Sequence, residues 1–212
     1  MIDILKNPLL CLVTDRNRTS CRALESVVGQ AVEGGTNMIQ FRDRDMEDVD
    51  RLHAAAKLRE ITEKKALFIV NGDVDLAKKV GADGIHFPEN HIFDADTQEL
   101  KEDFILGQSV HSLEMATKAE LLGIDYLIVG TLFPSKSHPH GQVSGTKIIE
   151  DISGKLPVPL IGIGGISSQN CRKVIDSGAS GVAVIGAISE ADDPRLESQI
   201  ILANISVSYS LI

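Results

Sequence analysis

The sequence has no apolar run approaching the roughly 20 residues that a membrane-crossing helix needs; its longest, such as Val158 to Ile163, stop far short. It has no basic patch either: 30 acidic residues outnumber 21 basic ones, for a net charge of −9. The acids are spread along the whole chain, so nucleic acid and membrane are excluded as expected partners. No stretch rich in Pro, Gly or Ser divides the 212 residues, and a single domain spanning 1–212 is expected at this length. Asp3 and Lys6 interrupt the first apolar stretch and no small-residue cleavage site follows, so a signal peptide is not expected. The three cysteines, Cys11, Cys21 and Cys171, lack metal-ligand spacing. They read as reduced structural thiols in apolar or helical surroundings, consistent with a cytoplasmic protein.

What the chain does have is rhythm. Short runs rich in Val, Ile and Leu alternate with helix-like segments, the pattern of parallel strands buried on both faces. Strands are predicted over 9–14, 38–41, 66–71, 84–87, 105–109, 126–130, 160–164 and 181–185. Helical segments are predicted over 19–33, 49–64, 74–80, 113–122, 148–152, 168–176 and 194–201, with a turn near 94–99. Gly81-Ala82-Asp83, Gly123-Ile124-Asp125 and Gly178-Ala179-Ser180 each read as a glycine helix cap followed directly by a strand. Eight such units favour an α/β fold of the (β/α)₈ TIM-barrel type, with reactive groups after each strand. A doubly wound open sheet is the alternative, disfavoured because no G-x-G-x-x-G follows the first strand.

The strand ends carry the candidate chemistry. Gln40, Arg42 and Arg44 alternate along IQFRDRD and are expected to point the same way, two guanidiniums suited to a phosphate or pyrophosphate. The competing reading is a rim salt bridge with Asp15, Asp43 or Asp45. LIGIGGIS and VAVIGAIS end strands seven and eight in glycine, where Gly164, Gly165, Ile185 and Gly186 offer bare backbone to a phosphate. Ser109 ends strand five, and Ser112 is a plausible helix cap. His111 reads either as an acid or base at the mouth or as a histidine packed at that helix start. After strand six, the polar stretch containing Thr131, Ser135, Lys136, Ser137, His138 and His140 reads as a lid or substrate loop.

Taken in order, LVTD at 12–15, GGTNMIQFRDRD at 34–45, VNGDVDLA at 70–77, GADGIHF at 81–87, GQSVHSLEMA at 107–116, DYLIVGTLFPS at 125–135, IGIGGIS at 161–167 and GVAVIGAIS at 181–189 resemble the thiamine phosphate synthase superfamily, which includes the TenI-type thiazole tautomerases. The resemblance covers nearly the whole chain. It implies a barrel that binds thiazole phosphate at the strand-seven and strand-eight glycines. In synthases it also implies a pyrimidine methyl pyrophosphate, held by residues corresponding to Gln40, Arg42, Arg44 and Asn71, and by magnesium.

In synthases two aspartates hold that ion, and Gly72 and His91 stand in their places here. Neither supplies the hard oxygen that Mg²⁺ prefers. No metal or cofactor is therefore expected, with Mg²⁺ entering only if the chain is a synthase whose oxygens come from Asp73, Glu89 or the pyrophosphate. The Asn71-Gly72 pair and SVHSLE at 109–114 resemble the TenI branch, whose catalytic histidine corresponds to Thr131. His138, His140 or His111 would then carry the proton. The resemblance thus orders the functions as a TenI-like tautomerase or thiazole-phosphate handler, then a divergent synthase, then a non-catalytic phosphate-binding barrel. The apolar C-terminal stretch from Ile201 either packs against the barrel or meets a second subunit in a homodimer.

Overall fold

The computed structural model describes residues 5, 8–43, 45–136 and 143–206. Strands β1 (Leu9–Val13), β2 (Met38–Phe41), β3 (Leu67–Asn71), β4 (Gly84–Phe87), β5 (Ile105–Val110), β6 (Tyr126–Val129), β7 (Leu160–Ile163) and β8 (Gly181–Val184) pair in chain order, and β8 closes on β1. All the pairings are parallel. The expected (β/α)₈ barrel is what forms. Helices α1 (Leu24–Glu33), α2 (Asp48–Thr62), α3 (Val74–Val80), α4 (Ala95–Glu99), α5 (Leu113–Leu121), α6 (Lys147–Ser153), α7 (Cys171–Asp176), α8 (Gly186–Ser189) and α9 (Pro194–Ser206) connect or follow the strands. Among the described residues, no helix is long and apolar enough to cross a membrane.

Period-two alternation sorts each apolar strand into two cores. Leu9, Cys11 and Val13 join Met38, Ile69, Ile105, Tyr126 and Ile161 in one cluster inside the barrel. Leu10 and Leu12 pack outward with the helices. Each such fully buried aliphatic side chain contributes about 1.5–3 kcal/mol. The interior is therefore a packed core, with room for a ligand only at the mouth.

The repeated glycine-to-acid sequences have a physical purpose. Gly81 ends α3 in the left-handed conformation at φ +63°, and Gly123 adopts φ +69° after α5. The following acids then satisfy a neighbouring strand: Asp83 Oδ2 accepts from Phe68 N at 2.7 Å, and Asp125 Oδ2 from Leu106 N at 2.8 Å. Asn37 does the same for Leu10 N at 2.9 Å. A chain start that would leave an unpaired amide is thereby anchored.

Some expected boundaries move. The helix predicted over 19–33 begins only at Leu24, because Asp15 caps a short 3₁₀ turn at Arg16–Arg18 and Ser20 and Cys21 then take φ +53° and +61°. Cys21 is consequently exposed in a turn, contrary to the apolar or helical setting expected for it, whereas Cys11 and Cys171 are buried. Burial pushes the Cys11 thiol up to about 12, so it stays protonated. α9 runs on to Ser206, and Ile201 and Ile205 are fully buried against the outer core. The rest of the C-terminal stretch, 207–212, lies outside the described residues.

Candidate functional site

The C-terminal strand ends surround one cavity of about 980 Å³. Its floor is a row of polar side chains on inward positions. Gln40 Nε2 donates to Asn71 Oδ1 at 2.9 Å, uniting the ends of β2 and β3. Gln40 is 4% exposed, and its Oε1 has no hydrogen-bond partner among the described residues. On β4, His86 bonds Ser109 Oγ of β5 through Nε2 at 2.8 Å and the Tyr126 hydroxyl of β6 through Nδ1 at 3.3 Å. Burial pushes the His86 imidazole down to about 3, so it is neutral near pH 7.

The opposite side of the cavity is bare backbone. Gly164 and Gly165 follow β7 with φ +102° and +62°, and Ile185 and Gly186 follow β8. A side chain at Gly164 would overlap Thr131, and one at Gly165 would overlap the Phe133 and Pro134 carbonyl oxygens. These glycines therefore also let the loop after β6 lie against β7, where Phe133 N donates to Gly164 O at 3.0 Å. Asn170 Nδ2 holds the Gly165 carbonyl at 2.9 Å. Above Gly186 lies the Arg18 guanidinium, whose Nε donates to Glu190 Oε1 at 2.7 Å, while Lys136 Nζ stands 3.5 Å from Glu190 Oε2. Chiefly through the Arg18 hydrogen bond, the Glu190 carboxyl is held below its usual range.

A second cavity of about 570 Å³ adjoins at the ends of β3 and β4, sharing Asn71 and Pro88. This is where the resemblance puts magnesium. Asp73 is already engaged: Oδ1 caps α3 by accepting from Leu76 N at 2.8 Å, and Oδ2 pairs with Arg51 at 2.8 Å. The His91 ring stacks on Phe87 at 4.0 Å and meets the Phe93 edge at 4.8 Å, and its Nε2 lies 3.4 Å from Thr97 Oγ1. Desolvation lowers its pKa against the opposing pull of Asp94. Glu89 Oε1 accepts from His111 N at 2.8 Å. Asp43 Oδ2 is buried without a hydrogen bond among the described residues, yet Arg16 Nε at 3.5 Å matches its charge. Among the described residues, no group of three or more His, Cys, Asp or Glu is gathered for a metal ion. The donors present do not fit Mg²⁺ seated on two protein carboxylates.

The cavity of about 980 Å³ brings together Gln40, Arg42, Asn71, Ser109, His111, Thr131, Ser135 and the four backbone positions Gly164, Gly165, Ile185 and Gly186. β2 stops at Phe41 as predicted, and Arg42 follows it as a rim residue whose N–H donates to Thr14 Oγ1 at 2.9 Å while it lines the same cavity as Gln40. Two expectations need correcting. The rim salt bridge exists, but Arg16 makes it with Asp43. His111 is exposed, and its Nδ1 bonds the Gly130 carbonyl instead of packing at the start of α5. Ser112 does cap that helix, accepting from Met115 N at 3.2 Å. Arg44, Ser137, His138 and His140 lie outside the described residues.

Sequence reasoning missed Arg18, His86 and Tyr126. The signal for the last two was present. Counting by twos along GIHF and YLIV puts His86 and Tyr126 on the inward face, as it does Gln40 and Asn71.

Comparison with known proteins agrees with this geometry. A family model described as thiamine monophosphate synthase matches residues 10–188. A thiamine-phosphate synthase of Chlorobium limicola is 37% identical over 199 residues, covering 92% of this chain and 93% of the relative. One from Bacillus velezensis is 36% identical over 188 residues, covering 84% and 82%. The solved thiamine phosphate pyrophosphorylase from Pyrococcus furiosus superposes with a TM-score of 0.87 at 31% identity, covering 99% of this chain and 100% of that one. With the family model spanning most of its length and such relatives aligned nearly end to end, the chain belongs to the thiamine monophosphate synthase family.

Proposed function

We propose that this protein is a thiamine phosphate synthase, joining a pyrimidine methyl pyrophosphate to thiazole phosphate and releasing pyrophosphate. The observation that carries the reading is a single cavity with two unlike ends. At one end Gln40, beside Asn71, presents a buried acceptor that has no donor among the described residues; at the other, Gly165 and Gly186 present bare backbone. Two different small ligands suit such a cavity better than one. The relatives named thiamine-phosphate synthase support the same reading over the tautomerase that the resemblance ranked first.

The chemistry fits the groups present. The thiazole nitrogen gives its lone pair to the methylene carbon, and the carbon–oxygen bond breaks with its electrons going to pyrophosphate. No proton moves, so no shuttle is required where Thr131 stands. A tautomerase needs one. Arg42 at the rim would favour the charge gathering on pyrophosphate, while Arg18 and the glycine backbone would hold the thiazole phosphate.

Incubating the purified protein with both substrates, with and without Mg²⁺, tests this. Thiamine phosphate and equimolar pyrophosphate are expected. Absence of both products under every metal condition, together with tautomer conversion of a thiazole carboxylate phosphate, would replace this reading by the tautomerase.

A further inference from the structure

Tyr126 is fully buried inside the barrel, and its ring lies over Gly107, where any side chain would overlap it. Among the described residues its hydroxyl has one hydrogen-bond partner, His86 Nδ1 at 3.3 Å. If Nδ1 carried the proton, the phenol could only accept, and its own O–H would be left buried without an acceptor, which is costly. The phenol therefore donates to Nδ1. The neutral imidazole then has its proton on Nε2, which must donate to Ser109 Oγ at 2.8 Å. Ser109 Oγ has thereby accepted its bond, and its own proton remains available on the side that lines the large cavity. The imidazolium form, which would orphan the phenol again, is kept away by burial.

We propose that Tyr126 and His86 act as positioning residues that fix the imidazole tautomer and so hold the Ser109 hydroxyl as a donor toward a phosphoryl oxygen of the substrate. The inference rests on the reading above only in taking Ser109 to touch the bound phosphate ligand. Tyr126 does not itself line the cavity. Its influence on binding would reach the ligand through two hydrogen bonds and one tautomer. Without the phenol, either tautomer is allowed, and the imidazole can instead accept from Ser109, turning the hydroxyl's lone pairs toward an anion.

The test measures dissociation constants of inorganic pyrophosphate and thiamine phosphate by calorimetry, alongside KM and kcat, for Ser109→Ala, Tyr126→Phe, the double variant, His86→Gln and His86→Leu, each checked for folding by circular dichroism. Ser109→Ala and Tyr126→Phe are each expected to weaken at least one ligand about ten-fold, the scale of one hydrogen bond to a charged group. The double variant should lose no more than Ser109→Ala alone. A purely structural role for Tyr126 would still weaken binding in the Ser109→Ala background. His86→Gln, which can accept from the phenol and donate to Ser109, should stay within about three-fold of the parent, whereas His86→Leu should match Ser109→Ala. Unchanged binding in Tyr126→Phe, multiplied losses in the double variant, or His86→Gln as weak as His86→Leu overturns the relay. Unchanged binding of both ligands in Ser109→Ala overturns instead the contact it serves. The binding readout decides between these whether or not the protein couples the two substrates.

Discussion

Gln40 Nε2 reaches Asn71 Oδ1 at 2.9 Å across the ends of β2 and β3, and the same contact turns Gln40 Oε1 into a buried acceptor with nothing among the described residues to accept from. An unmatched buried acceptor destabilises a fold by about 1–3 kcal/mol. That is tolerable where a ligand N–H completes it. Gln40→Met keeps the side-chain volume and removes both polar atoms. It is expected to leave unfolding free energy within about 1 kcal/mol of the parent, because the lost bond and the removed orphan offset each other. Ligand affinity should fall at least ten-fold. Urea denaturation beside calorimetric titration checks both; a large stability loss with unchanged affinity would make Gln40 a purely structural residue.

The buried His86 gives the protein an acid-sensitive core. In the unfolded chain its imidazole takes up a proton below about 6.5, but in the fold only near 3. The unfolded state therefore binds more protons between these values, and stability is lost as pH falls through that window, by about 1.4 kcal/mol per unit at most. His91, lowered chiefly by desolvation, adds the same sign. Between pH 6.5 and 5, above most carboxylate titrations, His86→Gln should flatten the stability curve. Parallel parent and variant slopes in that interval would show that His86 is not the group responsible.

The barrel was legible because a parallel strand buried on both faces writes itself as an apolar run, and because Gly81 and Gly123 mark helix ends that no other residue type holds so readily. The bare-backbone side of the cavity was legible for the same reason. Less visible were partnerships set by closure of the cylinder. Arg18 meets Glu190 across 172 positions of sequence, and nothing local to either announces it. Arg42 reaches the same cavity as Gln40 from just beyond the end of β2, where the strand was expected to stop. Neither Asp73 nor Glu89 shows in sequence that Arg51 and the His111 amide have already engaged it.

That engagement makes Asp73 a structural residue. Asp73→Ala removes the cap on Leu76 N and leaves the Arg51 guanidinium with Asp48 at 2.9 Å, its Nε being buried without a partner among the described residues. Stability should drop by about 1–2 kcal/mol, the range of a lost helix cap. The concentration of Mg²⁺ giving half-maximal product formation should be the same in parent and variant. A ten-fold rise in that concentration would place a magnesium ligand where the structure has a helix cap.

Two glycines at the backbone side of the cavity separate packing from ligand contact. At Gly165, φ is +62° and the overlapping atoms are the Phe133 and Pro134 carbonyl oxygens, which belong to backbone and cannot swing aside. Gly165→Ala should destabilise the ligand-free protein by about 2–3 kcal/mol, from left-handed strain plus the displaced loop. At Gly186 the backbone is helical, and the nearest overlapping atoms are the end of the Arg18 side chain, which rotates readily. Gly186→Ala should therefore change ligand-free stability by less than about 1 kcal/mol. It should still weaken thiamine phosphate and inorganic phosphate alike, since the new methyl group and the displaced guanidinium both stand over the bare backbone of β8. Thermal unfolding without ligand and phosphate titration with it distinguish the two positions, and equal phosphate affinity in Gly186→Ala and parent would move the anion away from β8.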